Sequence, residues 1–303
     1  MRVLLATPSC PARLRTLVPL TWALRTAGHD VKIAGRPSFA EQILRAATVA
    51  VDLEAGEGIE LAESPRLTEF AGLWRPQVVV SAGLAPAGTA AARSVGAVAV
   101  RLLGAWDEPD AGEADTTFDT VPPSLRGGGG EAHPVRHVPY FGPVELPAWS
   151  RRKARRSRLL LSLSDTAWFG PVFDAVAEVD VEVVCAAGVT DLPDGTALPA
   201  NVRLVDAAPP ASVLPTCAAV IHDGDAELAL AAAAFGVPQL SLTASAPATR
   251  VAAAGGGLVG GAPDAGVVRE LVTGPALRAG AAALRAEITA LPTPSAVAAR
   301  LTR

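Results

Sequence analysis

Short apolar runs alternate with amphipathic stretches along most of the chain, which is typical of repeated strand and helix units. A strand is predicted at 3–7, a helix at 17–27 that ends at Gly28, and a second strand at 31–34. Further strands are predicted at 78–81 and 98–101. We assign them all to one parallel sheet, because a strand-helix-strand unit returns the chain in the same direction.

The alternation lapses between Asp107 and Trp149, where acidic residues, glycines and prolines favour loop and extended linker. It resumes at 159–163 and continues through strands at 181–185, 202–205 and 219–221. The pattern predicts an α/β protein of two Rossmann-like domains facing each other across a cleft. The predicted boundaries are residues 1–125 for the first domain, 126–156 for an interdomain linker and 157–303 for the second domain.

Length and charge narrow the classes of function. A chain of 303 residues, half of them hydrophobic, can build two compact domains. Its net charge of -4 and pI near 5.6 supply no broad basic surface, so nucleic acid is not an expected partner. No run is long and apolar enough for a signal peptide or a spanning helix, so we expect a cytoplasmic protein with no membrane partner.

Two local features bear on chemistry. The three cysteines, Cys10, Cys185 and Cys217, are odd in number and widely spaced, which favours buried thiols over a disulfide framework or a metal site. No metal or cofactor is therefore predicted. A basic run at 151–156 has two interpretations, a solvated linker and a phosphate-binding patch.

Five segments, taken in order, resemble the macrolide and anthracycline deoxysugar transferases of the glycosyltransferase B (GT-B) fold. They are Leu17–Arg25 with Ala27–Val31, Val121–Arg126 with Arg136–Pro143, Leu160–Leu163, Leu214–His222 and Gly236–Gln239. The resemblance covers both domains and identifies the chain as a shortened, divergent member. It implies an acceptor-type first domain, a donor-type second domain, and transfer of a deoxysugar from a nucleoside diphosphate sugar to a natural product.

The resemblance also implies where the donor diphosphate would bind. His222 stands at the first of two histidines that precede the phosphate-binding helix start, and Gly224 and Asp225 follow where relatives have small residues. His222 could donate a hydrogen bond to a phosphate there. The turn Ser164-Asp165-Thr166 stands at a second donor-binding loop, where Asp165 would add a carboxylate to the cleft.

Acidic residues make this donor site unusual. Asp223, Asp225 and Glu227 place negative charges where a diphosphate would bring its own, so repulsion predicts weak nucleotide binding. The alternative is that acids in a first helical turn complement the helix dipole. The loop at 240–251 also lacks the acidic and amide pair that the family uses to hold the sugar.

The acceptor side departs from the family as well. The resemblance implies a histidine or aspartate base near position 13, where this chain has Arg13, and a protonated guanidinium cannot take a proton from an alcohol. The segment between residues 42 and 73 lacks a long helical insertion that relatives carry. Its loss is expected to expose Trp74, Trp106 or Tyr140 to solvent or to a partner protein.

Three functions stay open at this point. The first is an inverting glycosyltransferase that binds its nucleoside diphosphate sugar weakly. The second is a catalytically silent binding or helper protein, with a partner protein or as a homodimer. The third is an enzyme of changed chemistry that uses Arg13 or the acidic residues, Asp223 first among them, as catalytic groups on a small-molecule natural product.

Overall fold

The computed structural model describes most of the chain as two compact units. The described residues are 1–53, 65–83, 86–105, 107, 114–127, 131–143, 149–150, 154–187, 191–205 and 210–301. Trp106 and residues 151–153 of the basic run lie outside them. Unit 1 comprises Met1–Pro123, Gly128–Pro143 and Leu291–Arg303, and unit 2 comprises Ser124–Gly127 and Val144–Ala290.

Unit 1 is built on a seven-stranded parallel sheet with the strand order β3-β2-β1-β4-β5-β6-β7. Its inner strands are buried on both faces, so they consist of continuous apolar runs rather than alternating residues. The strands are β1 (Arg2–Ala6), β2 (Asp30–Gly35), β3 (Val49–Asp52), β4 (Val78–Ala82), β5 (Val98–Leu103), β6 (Thr116–Asp119) and β7 (His133–Pro134).

Helices cover this sheet. They are α1 (Pro11–Thr26), α2 (Ala40–Arg45), α3 (Pro65–Trp74), α4 (Pro86–Val95) and α11 (Pro294–Leu301). Helix α1 begins with Pro11, whose missing N–H is not needed in a first turn, and the chain leaves it through Gly28 at φ +87°. Leu17 and Leu24 of this helix are fully buried against the sheet.

The end of the chain returns to unit 1, which differs from the predicted boundary of a second domain at 157–303. Val297 and Ala298 of α11 are 3% and 1% exposed and belong to the same apolar core as α1. The amide of Arg136 donates to the carbonyl of Pro292 at 2.8 Å, within the predicted linker 126–156. The C-terminal helix and the part of the predicted linker at Gly128–Pro143 therefore belong to unit 1.

Unit 2 contains a six-stranded parallel sheet with the order β10-β9-β8-β11-β12-β13. Its strands are β8 (Ser157–Ser162), β9 (Val181–Cys185), β10 (Val202–Leu204), β11 (Ala219–His222), β12 (Gln239–Ser241) and β13 (Gly257–Val259). Its helices are α5 (Phe169–Ala177), α6 (Pro210–Val213), α7 (Ala226–Phe235), α8 (Ala246–Ala253), α9 (Ala265–Thr273) and α10 (Pro275–Ala290). No helix in the described ranges is long and apolar enough to cross a membrane.

The residues at the two ends of helix α7 determine where the loop after β11 lies. The side chain of Asp225 caps the start of α7. Most of the alanines of this helix, together with Leu228, are buried. Gly236 ends it in the left-handed region at φ 70°, a conformation that other residues adopt at a cost. The next strand then begins at Gln239, and the start of α7 is held at the carboxyl end of β11.

Each sheet contains one point where the strand order reverses, between β1 and β4 in unit 1 and between β8 and β11 in unit 2. Loops that leave the carboxyl ends of such strands diverge to opposite faces of the sheet. The crevice that results is the usual ligand site of open α/β sheets. The two reversal points are therefore where candidate functional residues are expected to meet.

The assignment of the C-terminal helix to unit 1 predicts a stability difference along α11. Val297→Ala removes buried methyl groups and should lower the free energy of unfolding by about 2 kcal/mol. Ser295→Ala, on the exposed side of the same helix, should change it by less than about 0.5 kcal/mol. Urea unfolding followed by circular dichroism measures both, and equal effects would contradict the packing of α11 on α1.

Candidate functional site

A carboxylate joins the two loops at the reversal point of unit 2. One oxygen of Asp223, Oδ2, accepts hydrogen bonds from the backbone N–H of Ser164 at 2.6 Å and of Asp165 at 2.8 Å. Asp223 follows β11 and the two amides follow β8, so the contact bridges the crevice itself. Two successive amides that converge on one oxygen form an anion-binding concavity. The protein's own side chain occupies it.

A second carboxylate occupies amides at the start of α7. Oδ1 of Asp225 accepts from the N–H groups of Glu227 at 2.8 Å and Leu228 at 3.1 Å. These are first-turn amides that have no partner within the helix, and the negative charge complements the helix dipole. For Asp225 the geometry therefore fits the dipole interpretation of the acidic cluster. The same amides would otherwise be available to a phosphate.

His222 lies inside the protein rather than on the crevice surface. It is fully buried, its Nδ1 accepts from the N–H of Gly224 at 3.2 Å, and its Nε2 lies 3.1 Å from Oε1 of Gln239. Because Nδ1 faces a donor, the proton of the neutral ring is on Nε2 and is donated to Gln239. Burial lowers the pKa of His222. Both nitrogens are used internally, so a hydrogen bond from His222 to a phosphate, as expected from the sequence, is not available in this structure.

Gln239 links His222 to helix α7 through its side chain. Its Nε2 donates to the carbonyl of Ala229 at 3.0 Å, and the side chain is 2% exposed. The chain of bonds from Gly224 through His222 and Gln239 ties the end of β11 to the start of β12 and to α7. His222 therefore positions the loop that carries Asp223.

The remaining residues predicted for the donor side have local structural roles. Asp165 is exposed and its Oδ1 accepts from the N–H of Ala167 at 2.9 Å, which caps a short 3-10 turn at Thr166–Trp168. Ser164 and Thr166 are exposed beside it. Gly224 has φ +106°, so the tight turn after β11 favours glycine. In the structure the amides of Ser164 and Asp165 contact Asp223, which directly precedes Gly224.

Arg13 occupies the reversal point of unit 1. It lies in the first turn of α1 rather than in a loop, and its guanidinium forms an ion pair with Asp107. A side chain at Gly83, which follows β4, would overlap Nη1 of Arg13, so the arginine packs directly on that glycine. Burial lowers the pKa of Arg13 from its ordinary value, yet an arginine paired with a carboxylate remains a cation.

Asp107 was not among the residues singled out from the sequence. Its side chain is 1% exposed, and Oδ2 accepts from the N–H of Gly104 at 2.7 Å. The available signal was its place just after the apolar strand β5, since a carboxylate at the carboxyl end of a parallel strand is a candidate site residue. In the structure both of its oxygens are engaged, one by Arg13 and one by Gly104.

The histidines of unit 1 are separate from Arg13. His137 borders a small cavity with Thr16, Leu20 and Thr120, and burial lowers its pKa to about 4 although part of the residue reaches solvent. His133 is exposed, with Nε2 3.1 Å from Nη2 of Arg300. Within the described ranges no group of three or more histidine, cysteine or acidic side chains is placed to hold a metal ion.

Comparison with known proteins identifies the family. Residues 171–303 match the family described as Erythromycin biosynthesis protein CIII-like, C-terminal domain. Elloramycin glycosyltransferase ElmGT of Streptomyces olivaceus is 31% identical over an alignment that covers 99% of this chain and 97% of that protein. The chain belongs to the natural-product glycosyltransferase family that includes ElmGT. TDP-daunosamine transferase DnrS of Streptomyces peucetius is also similar, at 29% identity over 98% of this chain and 95% of that protein.

Solved structures of this glycosyltransferase family have the same fold. Glycosyltransferase VinC, solved in complex with dTDP, superposes with a TM-score of 0.87 at 28% identity and covers 100% of this chain and 99% of that one. SnogD from Streptomyces nogalater gives a TM-score of 0.86 at 29% identity, covering 100% and 98%. The predicted GT-B fold is confirmed. The DnrS alignment spans 410 positions against 303 residues here, so that relative carries segments that this glycosyltransferase-family chain lacks.

Two of the three aromatic residues expected on an open surface, Trp74 and Tyr140, are half-buried instead, and Trp106 lies outside the described residues. Trp74 stacks on Phe70 with ring centroids 5.8 Å apart, and the ammonium of Lys32 lies 4.6 Å from the Trp74 ring centre. Tyr140 packs against the unit 1 core and meets Trp22 edge-on at 5.2 Å. Neighbours within unit 1 therefore cover much of the surface that the missing insertion was expected to expose.

The cysteines follow the sequence prediction in part. Cys185 is fully buried, and Cys10 and Cys217 are half-buried; all three are free thiols. Burial raises the pKa of Cys185 and of Cys217 to about 12. Neither of these two thiols is a thiolate at neutral pH, so neither is a nucleophile.

Burial of His137 predicts a pH dependence of stability. Its folded pKa of about 4 lies below the ordinary 6.5, so the unfolded chain binds a proton that the folded chain does not between these values. Wild type should lose stability as the pH falls from 6.5 toward 4, by up to about 1.4 kcal/mol per pH unit from this residue. His137→Gln should reduce that loss, measured by urea unfolding at several pH values. Identical pH profiles for both proteins would contradict the assignment.

Proposed function

We propose that this chain is a divergent glycosyltransferase-family protein of natural-product biosynthesis whose donor site binds a nucleoside diphosphate sugar weakly and supports little or no sugar transfer. The observation that carries the proposal is the carboxylate of Asp223 on the amides of Ser164 and Asp165. This contact places a negative charge at the reversal point of the donor-type sheet, and it occupies two backbone N–H groups there that could otherwise bind a phosphate.

Two separate costs oppose a diphosphate at this point. The ligand must displace Asp223 Oδ2 from two short hydrogen bonds before it can use the same amides. The displaced carboxylate then stays near the diphosphate, and two unit charges about 4 Å apart repel by about 4 kcal/mol at the effective dielectric of a protein surface. His222 cannot compensate, because it is neutral and engaged by Gly224 and Gln239.

The acceptor side supports the same proposal. A transferase that inverts the sugar needs a group to take the proton of the acceptor hydroxyl. At the reversal point of unit 1 the chain has a cation, Arg13, and its carboxylate partner Asp107 is held by that cation and by the amide of Gly104. Neither side chain is free to act as a base without breaking the pair.

With a weak donor site and no available base, the protein can bind a natural product without transferring a sugar to it. Unit 1 retains a continuous sheet and a packed core, so an acceptor-type domain can still hold a small natural product. We propose a helper or binding role for an intermediate or for another enzyme of the same biosynthesis. A working transferase is the second candidate, favoured by family membership and by the similarity to VinC, which was solved with dTDP.

Two substitutions of Asp223 separate the two costs. Asp223→Asn removes the charge but keeps an oxygen that can accept from the amides, whereas Asp223→Ala removes both. We expect dTDP affinity to rise by at least about tenfold in Asp223→Ala and by less in Asp223→Asn, because about 1.4 kcal/mol corresponds to tenfold. Calorimetric titration with dTDP measures the dissociation constants.

Asp264→Ala is the matched control. Asp264 caps α9 through a bond from the N–H of Val267 at 2.8 Å, so its removal deletes a capping carboxylate of the same unit without touching Ser164 or Asp165. Its dTDP affinity should equal that of wild type. Micromolar binding of dTDP by wild type that shifts the amide resonances of Ser164 and Asp165, with no gain in affinity in Asp223→Ala, would refute the proposal and favour the working transferase.

A further inference from the structure

An open cavity of about 770 Å³ lies at the edge of unit 2 opposite to Asp223. It is formed by the starts of strands β8, β9 and β10, whereas Asp223 and its amide partners follow the carboxyl ends of β11 and β8. The lining includes four arginines and one tryptophan, and we name it the arginine pocket: Trp149, Arg155, Arg156, Arg158 and Arg203. The size is in the range of small-molecule sites.

Two of these arginines already serve the fold. Arg158 is 3% exposed, its Nη1 donates to Oγ1 of Thr216 at 2.7 Å, and its Nη2 donates to Glu182 at 3.2 Å. Arg156 forms an ion pair with the exposed Asp180 at 2.8 Å. Local carboxylates thus balance both charges.

Among the described residues, no ion pair balances the charge of the other two guanidinium groups, those of Arg155 and Arg203. Arg203 lies 5.7 Å from the ring centre of Trp149 and Arg158 lies 5.1 Å from it, so two cations of the pocket lining contact the indole. Arg155 and Arg203 are exposed, and in the described part of the chain neither forms an ion pair. The pocket therefore carries two surplus positive charges in a protein whose net charge is -4.

Surplus guanidinium groups around a concave site select a particular kind of ligand. A planar guanidinium donates two parallel hydrogen bonds that fit the oxygens of phosphate, and it is weakly hydrated compared with an ammonium group. The two unbalanced guanidinium groups of Arg155 and Arg203 lie on one concave surface, so a ligand with two negative charges gains from both of them. Arg155 and Arg156 belong to the basic run at 151–156, for which the sequence allows a solvated linker or a phosphate-binding patch.

We propose that the arginine pocket binds a phosphate-type oxyanion that carries at least two negative charges, such as a diphosphate group. The ligand contacts Arg155 and Arg203 directly, and Trp149 and Arg158 hold the wall against which it lies. This site is separate from the donor crevice and does not depend on the function proposed for it. Free diphosphate and the diphosphate of a nucleotide share this chemistry.

The test uses inorganic pyrophosphate as the probe and the full chain as the protein. Calorimetric titration of wild type should show saturable binding at one site, and the double variant Arg155→Gln, Arg203→Gln should weaken it by at least about tenfold. Both residues are exposed, so circular dichroism should confirm an unchanged fold. Arg269→Gln, which removes an exposed arginine of α9, should bind as wild type does.

Further measurements show where the ligand binds and whether it is free diphosphate or a nucleotide. Tryptophan fluorescence should change on binding in wild type and not in Trp149→Phe, which places the ligand at this wall. Asp223→Ala should leave the pyrophosphate concentration that half-saturates the Trp149 fluorescence change as in wild type, whereas a site shared with the donor crevice would shift it. If dTDP titrates the Trp149 signal at lower concentration than pyrophosphate, a nucleotide is the ligand; the reverse order points to free diphosphate.

Two results would overturn the proposal. One is the absence of saturable pyrophosphate binding by wild type at low ionic strength, where surface electrostatics are strongest. The other is equal affinity in wild type, the double variant and Arg269→Gln, which would show nonspecific attraction to surface arginines.

Discussion

Backbone N–H groups at the reversal point of an open parallel sheet need acceptors, and this constraint governs the second unit. In this chain the acceptors are its own carboxylates: Asp223 satisfies Ser164 and Asp165, and Asp225 satisfies the first turn of α7. Gly224 allows the tight turn between the two aspartates, and the buried His222 fixes its position. The loop geometry and the proposed weakness of donor binding thus have one physical origin.

At the reversal point of unit 1 a side chain of the protein also occupies the crevice, but here it is the cation Arg13. Arg13 fills the reversal point between β1 and β4, packs on Gly83 and is balanced by Asp107. A cation and an anion that neutralise each other in a half-buried position stabilise one arrangement and oppose proton transfer to either. Both units therefore combine a complete sheet with a reversal point occupied by side chains of the chain itself, which is the basis for proposing binding without transfer in a glycosyltransferase-family protein.

Sequence reasoning predicted the parts of this structure that depend on local pattern. Apolar runs located β1, β2, β4, β5, β8, β9, β10 and β11, and Gly28 marked the end of α1. It missed short strands such as β12, whose three residues carry too weak a pattern, and the return of α11 to unit 1, which depends on packing. It named Asp223, Ser164 and Asp165 but not the hydrogen bonds that join them, because a contact across 59 residues leaves no local signal. For the same reason it named Arg13 but not its partner Asp107.

The most direct test of the central claim is the state of the Ser164 and Asp165 amides. Amide hydrogen exchange and chemical shifts from ¹⁵N-labelled protein report whether each N–H has an internal acceptor, with and without dTDP. The account predicts two protected amides in the free protein and no change in their chemical shifts when dTDP is added at micromolar concentration. Rapid exchange in the free protein, followed by protection when dTDP is added, would show that the diphosphate and not Asp223 is their partner.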